Sequence, residues 1–346
     1  MAAQHRVAVV GAGLAGLTAA TTLLDHEAVD ADDVIVLEAE AEVGGRLATE
    51  TLGTTTFDHG AQFFTVRTER FGTRVEQWLG EGSAEVWTRG FGSIDGYPRY
   101  RGVGGMRTLA RSMAEALTER GVILRCAAAV SLAADETGWR LRWPPGELPS
   151  RGGETTADAV LLTPPVPESL ELLAPLRGAT TGNGLHLDPG ALDELDALRC
   201  HRVIALLVTL GDDPGLPAPG ALQQPSDPIF SFVADNRAKG ISERPGLTLH
   251  TAHERSAELW ALSDAEVIDR LRPAVEHYAG GAAIESVAVR RWPHSGPVKP
   301  IGATYLEVAD RPGPLLMAGD AFGGSKVEGA FTSGAEAGDR LAQLLS

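Results

Sequence analysis

The sequence predicts an α/β chain in which one domain, assembled from separate segments, is interrupted by a second domain of mixed β-sheet and helix. Three observations carry this expectation. A short Val-rich run, a glycine turn, an Ala/Leu-rich helix and a second apolar run open the chain as a βαβ unit. Strand patterns of the same buried character return at 159–165 and 315–319. Aromatic, mixed strand segments fall between them. The expected division gives 1–65, 100–165 and 286–346 to the first domain and 66–99 and 166–285 to the second. A chain of 346 residues is long enough for two cores.

Each element has its own signal. Residues 6–10 (RVAVV) read as a buried parallel strand, GAGLAGLTAATTLL as a turn entering a helix, and 34–40 (VIVLEAE) as the second strand. Residues 41–65 are glycine-rich and irregular. Arg70–Leu79 suits a short amphipathic helix. Trp87, Phe91, Tyr97 and Tyr100 among glycines suggest short strands around a pocket. Met106, Leu109, Met113 and Leu117 keep helical spacing up to Gly121. Strands are expected at 122–130, 139–143, 159–165, 203–210, 229–233, 247–251, 284–292 and 315–319, and helices at 264–278 and 330–345. The stretches 144–157 and 174–190 read as loops.

Composition narrows the function classes. The net charge of -16 opposes binding to nucleic acid or to an anionic membrane surface. No apolar run approaches the roughly 20 residues of a membrane helix. Arg6 leads straight into Val7–Val10 without a signal-peptide pattern, so a cytoplasmic location is expected. Cys126 and Cys200 lie far apart and form no CxxC, so neither a disulfide framework nor a metal site is expected.

The sharpest motif is Gly11-x-Gly13-x-x-Gly16, set between strand and helix. Gly11 allows the tight turn, Gly13 lets the backbone approach a pyrophosphate, and Gly16 lets helix and strand pack closely. The helix N-terminus offers amides and a positive dipole end to phosphate. Glu38 ends the second strand, 22 residues after Gly16, where a carboxylate accepts from ribose hydroxyls. These features predict a Rossmann-type dinucleotide site. Gly44-Gly45-Arg46 then adds a close backbone approach and a fixed cation, which suits the extended diphosphate of FAD. Near the other end, Gly319-Asp320 closes an apolar strand beside a ribityl or ribose hydroxyl, and Val327-Glu328-Gly329-Ala330 opens the last helix toward the flavin's pyrimidine edge.

Taken together, GAGLAGLTAA, EAEAEVGGR, AVLLTPP and GDAFGGSKVEGAFTSG resemble the flavin-containing amine oxidase superfamily. FDHGAQFFTVR at 57–67, YRGVGGMRTLARSMAEAL at 100–117 and RRWPHSGPV at 290–298 are similar to its renalase-like branch. The resemblance touches nearly the whole chain. It implies FAD held noncovalently in an extended conformation, because the cysteine that links flavin in some relatives has no counterpart near Gly319-Asp320. It implies FAD contacts from Gly11, Gly13, Ala15, Gly16, Glu38, Ala39, Gly45, Arg46, Gly60, Ala61, Gln62, Phe63, Val130, Gly319, Asp320, Val327, Glu328 and Ala330, with the Gly104-Gly105-Met106 turn close by. The branch implies oxidation of reduced nicotinamide dinucleotide isomers, with electrons passed to O2 and release of H2O2. His59 departs from the branch pattern, and residues 166–285 carry little recognisable motif.

A flavin accepts a hydride, so the protein must position the substrate rather than attack it. Flat walls for a substrate are sought in Phe64, Phe232 and Trp292, and also in Phe63, Tyr97, Phe230 and Phe331. His59, Gln62 and Lys299 are the candidate catalytic residues: His59 as proton donor or anchor, Gln62 facing the flavin, Lys299 holding a water, as lysines do in amine-oxidising relatives. His294 is a weaker histidine candidate. Arg67, Arg99 and Arg237 are candidate phosphate ligands in an otherwise acidic chain. Three readings compete with the nicotinamide oxidase: an amine oxidase acting on a small primary or secondary amine, a plain NAD(P)-dependent dehydrogenase, and a non-catalytic flavin-binding protein. The sequence leaves the oligomeric state open.

Overall fold

The structure is a computed structural model and describes residues 3–91, 96–127, 131–136, 138–145, 152–177, 185–225 and 228–346. The chain runs β1 (Ala3–Val10), α1 (Leu14–Asp25), β2 (Val34–Glu38), β3 (Thr49–Leu52), β4 (Thr55–Asp58), α2 (Glu69–Gly80), β5 (Ala84–Thr88) and β6 (Arg99–Gly102). It continues through α3 (Arg107–Glu119), β7 (Ile123–Cys126), β8 (Ser131–Asp135), β9 (Gly138–Trp143), β10 (Gly153–Leu162), α4 (Val166–Arg177), β11 (His186–Leu187) and α5 (Pro189–Ala197). Then follow β12 (Cys200–Leu210), β13 (Ala221–Gln223), β14 (Phe230–Asp235), β15 (Gly246–Thr251), α6 (His253–Leu259), α7 (Asp264–Ala279), β16 (Ile284–Pro297), β17 (Leu306–Arg311), β18 (Leu315–Met317) and α8 (Val327–Leu345).

Two compact units emerge: Met1–Gly45, Ala110–Arg199 and Pro297–Ser346 form the first, and Arg46–Leu109 with Cys200–Gly296 form the second. The expected segments differ at four places: 46–65, 100–109 and 286–296 lie in the second unit and 166–199 in the first. Compactness follows pairing here. β3 and β4 pair with each other, whereas β11, preceding α5, joins β17.

The first unit is built on a nine-stranded sheet with the order β11-β17-β18-β10-β1-β2-β7, extended by β9 and β8. Its centre is parallel: β1 pairs with β2 and β10, β10 with β18, and β2 with β7. Central parallel strands are covered on both faces, which is why β1 and β2 are apolar without alternation. Ala8, Val10, Ile35, Leu37, Val160 and Leu162 share a core with Leu173 and Leu176 of α4, Leu195 of α5 and Trp139 of β9. α1 and α8 pack closely, because small residues line the seam. A Cβ placed on Gly334 would stand 2.2 Å from the Ala15 carbonyl oxygen, and one on Gly338 2.8 Å from that of Ala19.

The second unit carries a five-stranded sheet, β13-β14-β15-β12-β16. β13, β14, β15 and β12 pair antiparallel in succession. One face is covered by α6 and α7, whose Leu259, Val267, Leu271, Val275 and Tyr278 meet Ile204, Leu206, Val208, Phe230 and Leu249. α7 is bounded as its sequence dictates, by a Ser263–Glu266 capping box and by Gly280 in the left-handed region. Two hairpins, β3-β4 and β5-β6, complete the unit.

The region 174–190, expected as a loop, holds the end of α4, the short strand β11 and the start of α5. Asp188 caps α5 by accepting from the Ala191 amide at 2.8 Å, with Pro189 opening the helix. The Pro/Gly content there marks a helix start. β10 begins at Gly153, inside the other expected loop, and α8 begins at Val327, a turn earlier than expected. Of the strand expected over 122–130, β7 occupies Ile123–Cys126, and 128–130 lie outside the described residues.

Candidate functional site

In the first unit the candidate residues gather at the carboxyl ends of parallel strands, where open α/β sheets bind ligands. β1 is followed by Gly11, whose φ of +100° is a conformation for glycine, and its amide donates to the Leu37 carbonyl at 2.7 Å. A Cβ on Gly16 would stand 2.1 Å from the Gly11 carbonyl oxygen, so the helix starts hard against the turn. At Gly13 the space that a side chain would take is open, with nothing within 4 Å. Gly44 donates to the Ala12 carbonyl at 3.0 Å, which lays the second glycine pair along the first turn.

Glu38 is buried at the end of β2. One carboxylate oxygen accepts from the Ala12 amide at 2.7 Å and the other from the Glu40 amide at 3.0 Å. Burial pushes its pKa up, against the pull of those amides. The carboxylate is thereby fixed in orientation while each oxygen keeps a lone pair for a ligand hydroxyl. Beyond β18, the Gly319 amide donates to Ser333 Oγ of α8 at 2.8 Å, tying the Gly-Asp turn to the last helix. Asp320, Glu328 and Ala330 are half-buried and Val327 is buried. Lys326, just before α8, has a φ of +106°, a strained value for a residue with a side chain. Ala15 is buried and Ala39 exposed, and Val130 lies outside the described residues. This open glycine turn, oriented carboxylate and helix start fit an adenine dinucleotide such as FAD.

In the second unit the turn after β4 is held tightly. Ala61 donates to the Arg46 carbonyl at 2.8 Å, and a Cβ on Gly60 would stand 2.1 Å from that same oxygen. Arg46 donates to the His294 carbonyl at 3.1 Å. His59 is buried and stacks on Trp292, with centroids 5.2 Å apart. Its carbonyl accepts from Trp292 Nε1 at 2.8 Å and from His250 Nε2 at 3.0 Å. Burial lowers the His59 imidazole to about 4, so the ring is neutral near pH 7. The ring carries no imidazolium proton there, and its buried Nδ1 has no hydrogen-bond partner among the described residues.

Gln62 is also buried, and its amide is already engaged. Nε2 donates to the Asp58 carbonyl at 2.6 Å and to that of Gly60 at 3.2 Å, while Oε1 accepts from Lys239 at 3.3 Å. Its side chain therefore shapes the turn, and the turn's backbone is what the region presents. Lys299 is exposed after β16.

The aromatic candidates divide. Phe64 stacks on Tyr100 at 5.4 Å and meets Phe71 and Trp78 edge-on; it is core and has no face left for a ligand. Phe230 packs against Tyr278 in the helix-covered core, and Phe331 is buried in α8. Phe63, by contrast, is half-buried and groups with Phe91, Phe232 and Trp87 at centroid distances of 5.0 to 6.5 Å. At the edge of this wall the Arg99 guanidinium lies 5.8 Å over the Phe91 ring and donates to the Tyr97 carbonyl at 2.8 Å. Arg67 lies 4.8 Å over the Tyr97 ring. Arg237 is exposed.

The residue that sequence reasoning missed is Lys239. It is fully buried, 2.7 Å from the equally buried Asp58, and 5.1 Å over the Trp87 ring. A single lysine before a glycine carries no local signal; its partner is 181 positions away.

Comparison with known proteins agrees with this geometry. A family model described as flavin containing amine oxidoreductase matches residues 67–342, and one described as an NAD(P)-binding Rossmann-like domain matches 9–79. The corticosteroid-binding protein of Candida albicans (strain SC5314 / ATCC MYA-2876) is 40% identical over 63 residues, 17% of this chain and 13% of that protein. The chain is similar to the solved structure of a protein assigned as a protoporphyrinogen oxidase from Exiguobacterium sp. 255-15, with a TM-score of 0.65 at 16% identity over 99% of this chain and 100% of that one. A triple mutant of putrescine oxidase gives 0.68 at 16% identity, over 99% and 100% of the two chains. Wild-type putrescine oxidase bound to putrescine gives 0.63 at 18%, over 98% and 99%. At these identities the likeness establishes the fold. No described helix is long and apolar enough to cross a membrane.

Proposed function

Because the chain belongs to the family of flavin-containing amine oxidoreductases, we propose that it is an oxidase of a neutral, reduced ring of the dihydronicotinamide kind, carried on a phosphorylated nucleotide. FAD is the cofactor, and when bound it supplies a hydride acceptor that O2 can reoxidise with release of H2O2. Gly13, Glu38 and the Gly319-Asp320 turn would hold its dinucleotide portion. Neither cysteine of the chain, Cys126 or Cys200, is placed at that turn for a covalent link.

The observation that supports this substrate is the wall of Phe63, Trp87, Phe91 and Phe232 with Arg99 at its edge and Arg67 over the Tyr97 ring. Flat rings orient a planar heterocycle by stacking, and two arginines offer planar donor forks to its phosphates in an acidic chain. The short motifs at 57–67, 100–117 and 290–298 support the renalase-like branch in the same direction. His59 would anchor the ring through a neutral nitrogen. Amine oxidation is the second reading, favoured by the family itself.

An aerobic assay of H2O2 release tests the reading. Turnover of 2- or 6-dihydro isomers of NAD(P), with primary and secondary amines inert, is expected. Arg99→Ala is expected to raise KM for the dinucleotide about tenfold with kcat little changed, as for loss of a contact equal in ground and transition states. Turnover of amines alone assigns the second reading, and no turnover of either set leaves a flavin-binding protein without this activity.

A further inference from the structure

The aromatic wall rests on a buried cluster of charge. Asp58 is completely enclosed, and its carboxylate is saturated by the Met106 amide at 2.8 Å, the Thr49 hydroxyl at 2.5 Å and Lys239 Nζ at 2.7 Å. The side chain of Lys239 is 0% exposed. Its ammonium reaches Asp58, Gln62 Oε1 and the face of Trp87, three directions for three protons. The turn that carries it is built for the purpose: Asp235 accepts from the Arg237 and Ala238 amides at 2.9 and 3.3 Å, and the Lys239 amide donates to the Asp235 carbonyl. Next to it, Gly240 leaves room for Arg101, whose Nη2 lies 2.5 Å from where a Cβ would be. Arg101 is buried and pairs with Glu85, which is 48% exposed.

The enclosed charged groups are the cations Lys239 and Arg101 and the carboxylates Asp58 and Asp235, and of these carboxylates Asp58 meets Lys239 while Asp235 is held by the amides of its own turn. Glu85 meets Arg101 directly from the solvent side. The negative face of Trp87, the best cation acceptor among the aromatic side chains, is already taken by Lys239, and Arg99 covers Phe91. A wall of four aromatic rings would ordinarily attract an ammonium group. This one is filled from behind.

We propose that Lys239 is a specificity-determining residue: its ammonium, buried under Trp87 beside Arg101, turns the Phe63–Trp87–Phe91–Phe232 wall against cationic ligands and toward neutral or electron-rich rings. The inference rests on the reading of that wall as the substrate site. It adds that the family's amine chemistry is excluded here by a cation already seated on the Trp87 face, and that the excluding residue does not touch the substrate.

The test uses the FAD-loaded protein and two probes that differ by one methyl group and one charge, nicotinamide and 1-methylnicotinamide, with affinities measured by titration calorimetry. The wild type is expected to bind the neutral probe at least tenfold more tightly. Lys239→Met is expected to narrow that ratio about tenfold, and Lys239→Arg to retain it. The wild-type ratio needs no variant, so the proposal stays testable if Lys239→Met fails to fold. A wild-type preference for the cation, or an unchanged ratio in a folded Lys239→Met, overturns the proposal while the wall reading stands. Binding of both probes that is indifferent to Phe63→Ala and Trp87→Phe overturns the wall reading and the proposal with it.

Discussion

Individual side chains here are settled by what already binds them. Glu38 has the position of a ribose acceptor in the sequence, and in the fold its two oxygens are aimed by two backbone amides. Replacing Glu38 by Ala strands the buried Ala12 amide, at a cost of about 1–3 kcal/mol, and is expected to weaken FAD binding at least tenfold by fluorescence titration. His59 and His250 both sit near 4, below the ordinary 6.5, because burial disfavours the charged ring. The unfolded chain therefore binds protons between pH 6.5 and 4 that the folded chain refuses. Stability is fully retained above about 6.5 and falls as pH drops toward 4, by at most about 1.4 kcal/mol per pH unit for each histidine. Urea unfolding across that range checks this, and His59→Phe is expected to flatten the slope. Residue type alone could not separate Phe63 from Phe64. Adjacent in sequence, one joins the aromatic wall and the other is sealed against Tyr100.

At the scale of elements, the βαβ start was legible because glycine spacing, apolar run length and the distal acid are all local. The same holds for α7, whose cap and Gly280 stop are written in the chain. α4 and α5 were hidden by prolines: Pro175 lies inside one helix and Pro189 opens the other. β3 and β4 are four residues each and pair only with each other, too short for a periodic signal. The α1–α8 seam depends on glycines spaced four apart. Gly334→Val is expected to force those helices apart at about 1–3 kcal/mol, seen as a lowered melting temperature with FAD bound. Ser333 precedes Gly334 and holds the Gly319 amide, so the same variant is expected to weaken FAD binding as well.

Across the whole molecule, the discontinuous first unit was readable in the order of its strands, while its borders follow long-range pairing that a linear reading cannot see. The substrate side was least legible. The wall of Phe63, Trp87, Phe91 and Phe232 is drawn from three separate stretches of chain, and the charge beneath it joins Asp58 to Lys239. The central claim is that this amine oxidoreductase fold has been turned to a neutral reduced ring. Anaerobic stopped-flow reduction of the FAD-loaded protein tests it most directly, with flavin absorbance followed against the 2-, 4- and 6-dihydro isomers of NAD(P) and against a panel of amines. Rapid bleaching by the 2- or 6-dihydro isomers with amines inert is the predicted result. Bleaching by amines, with every dihydronicotinamide isomer inert, would contradict it.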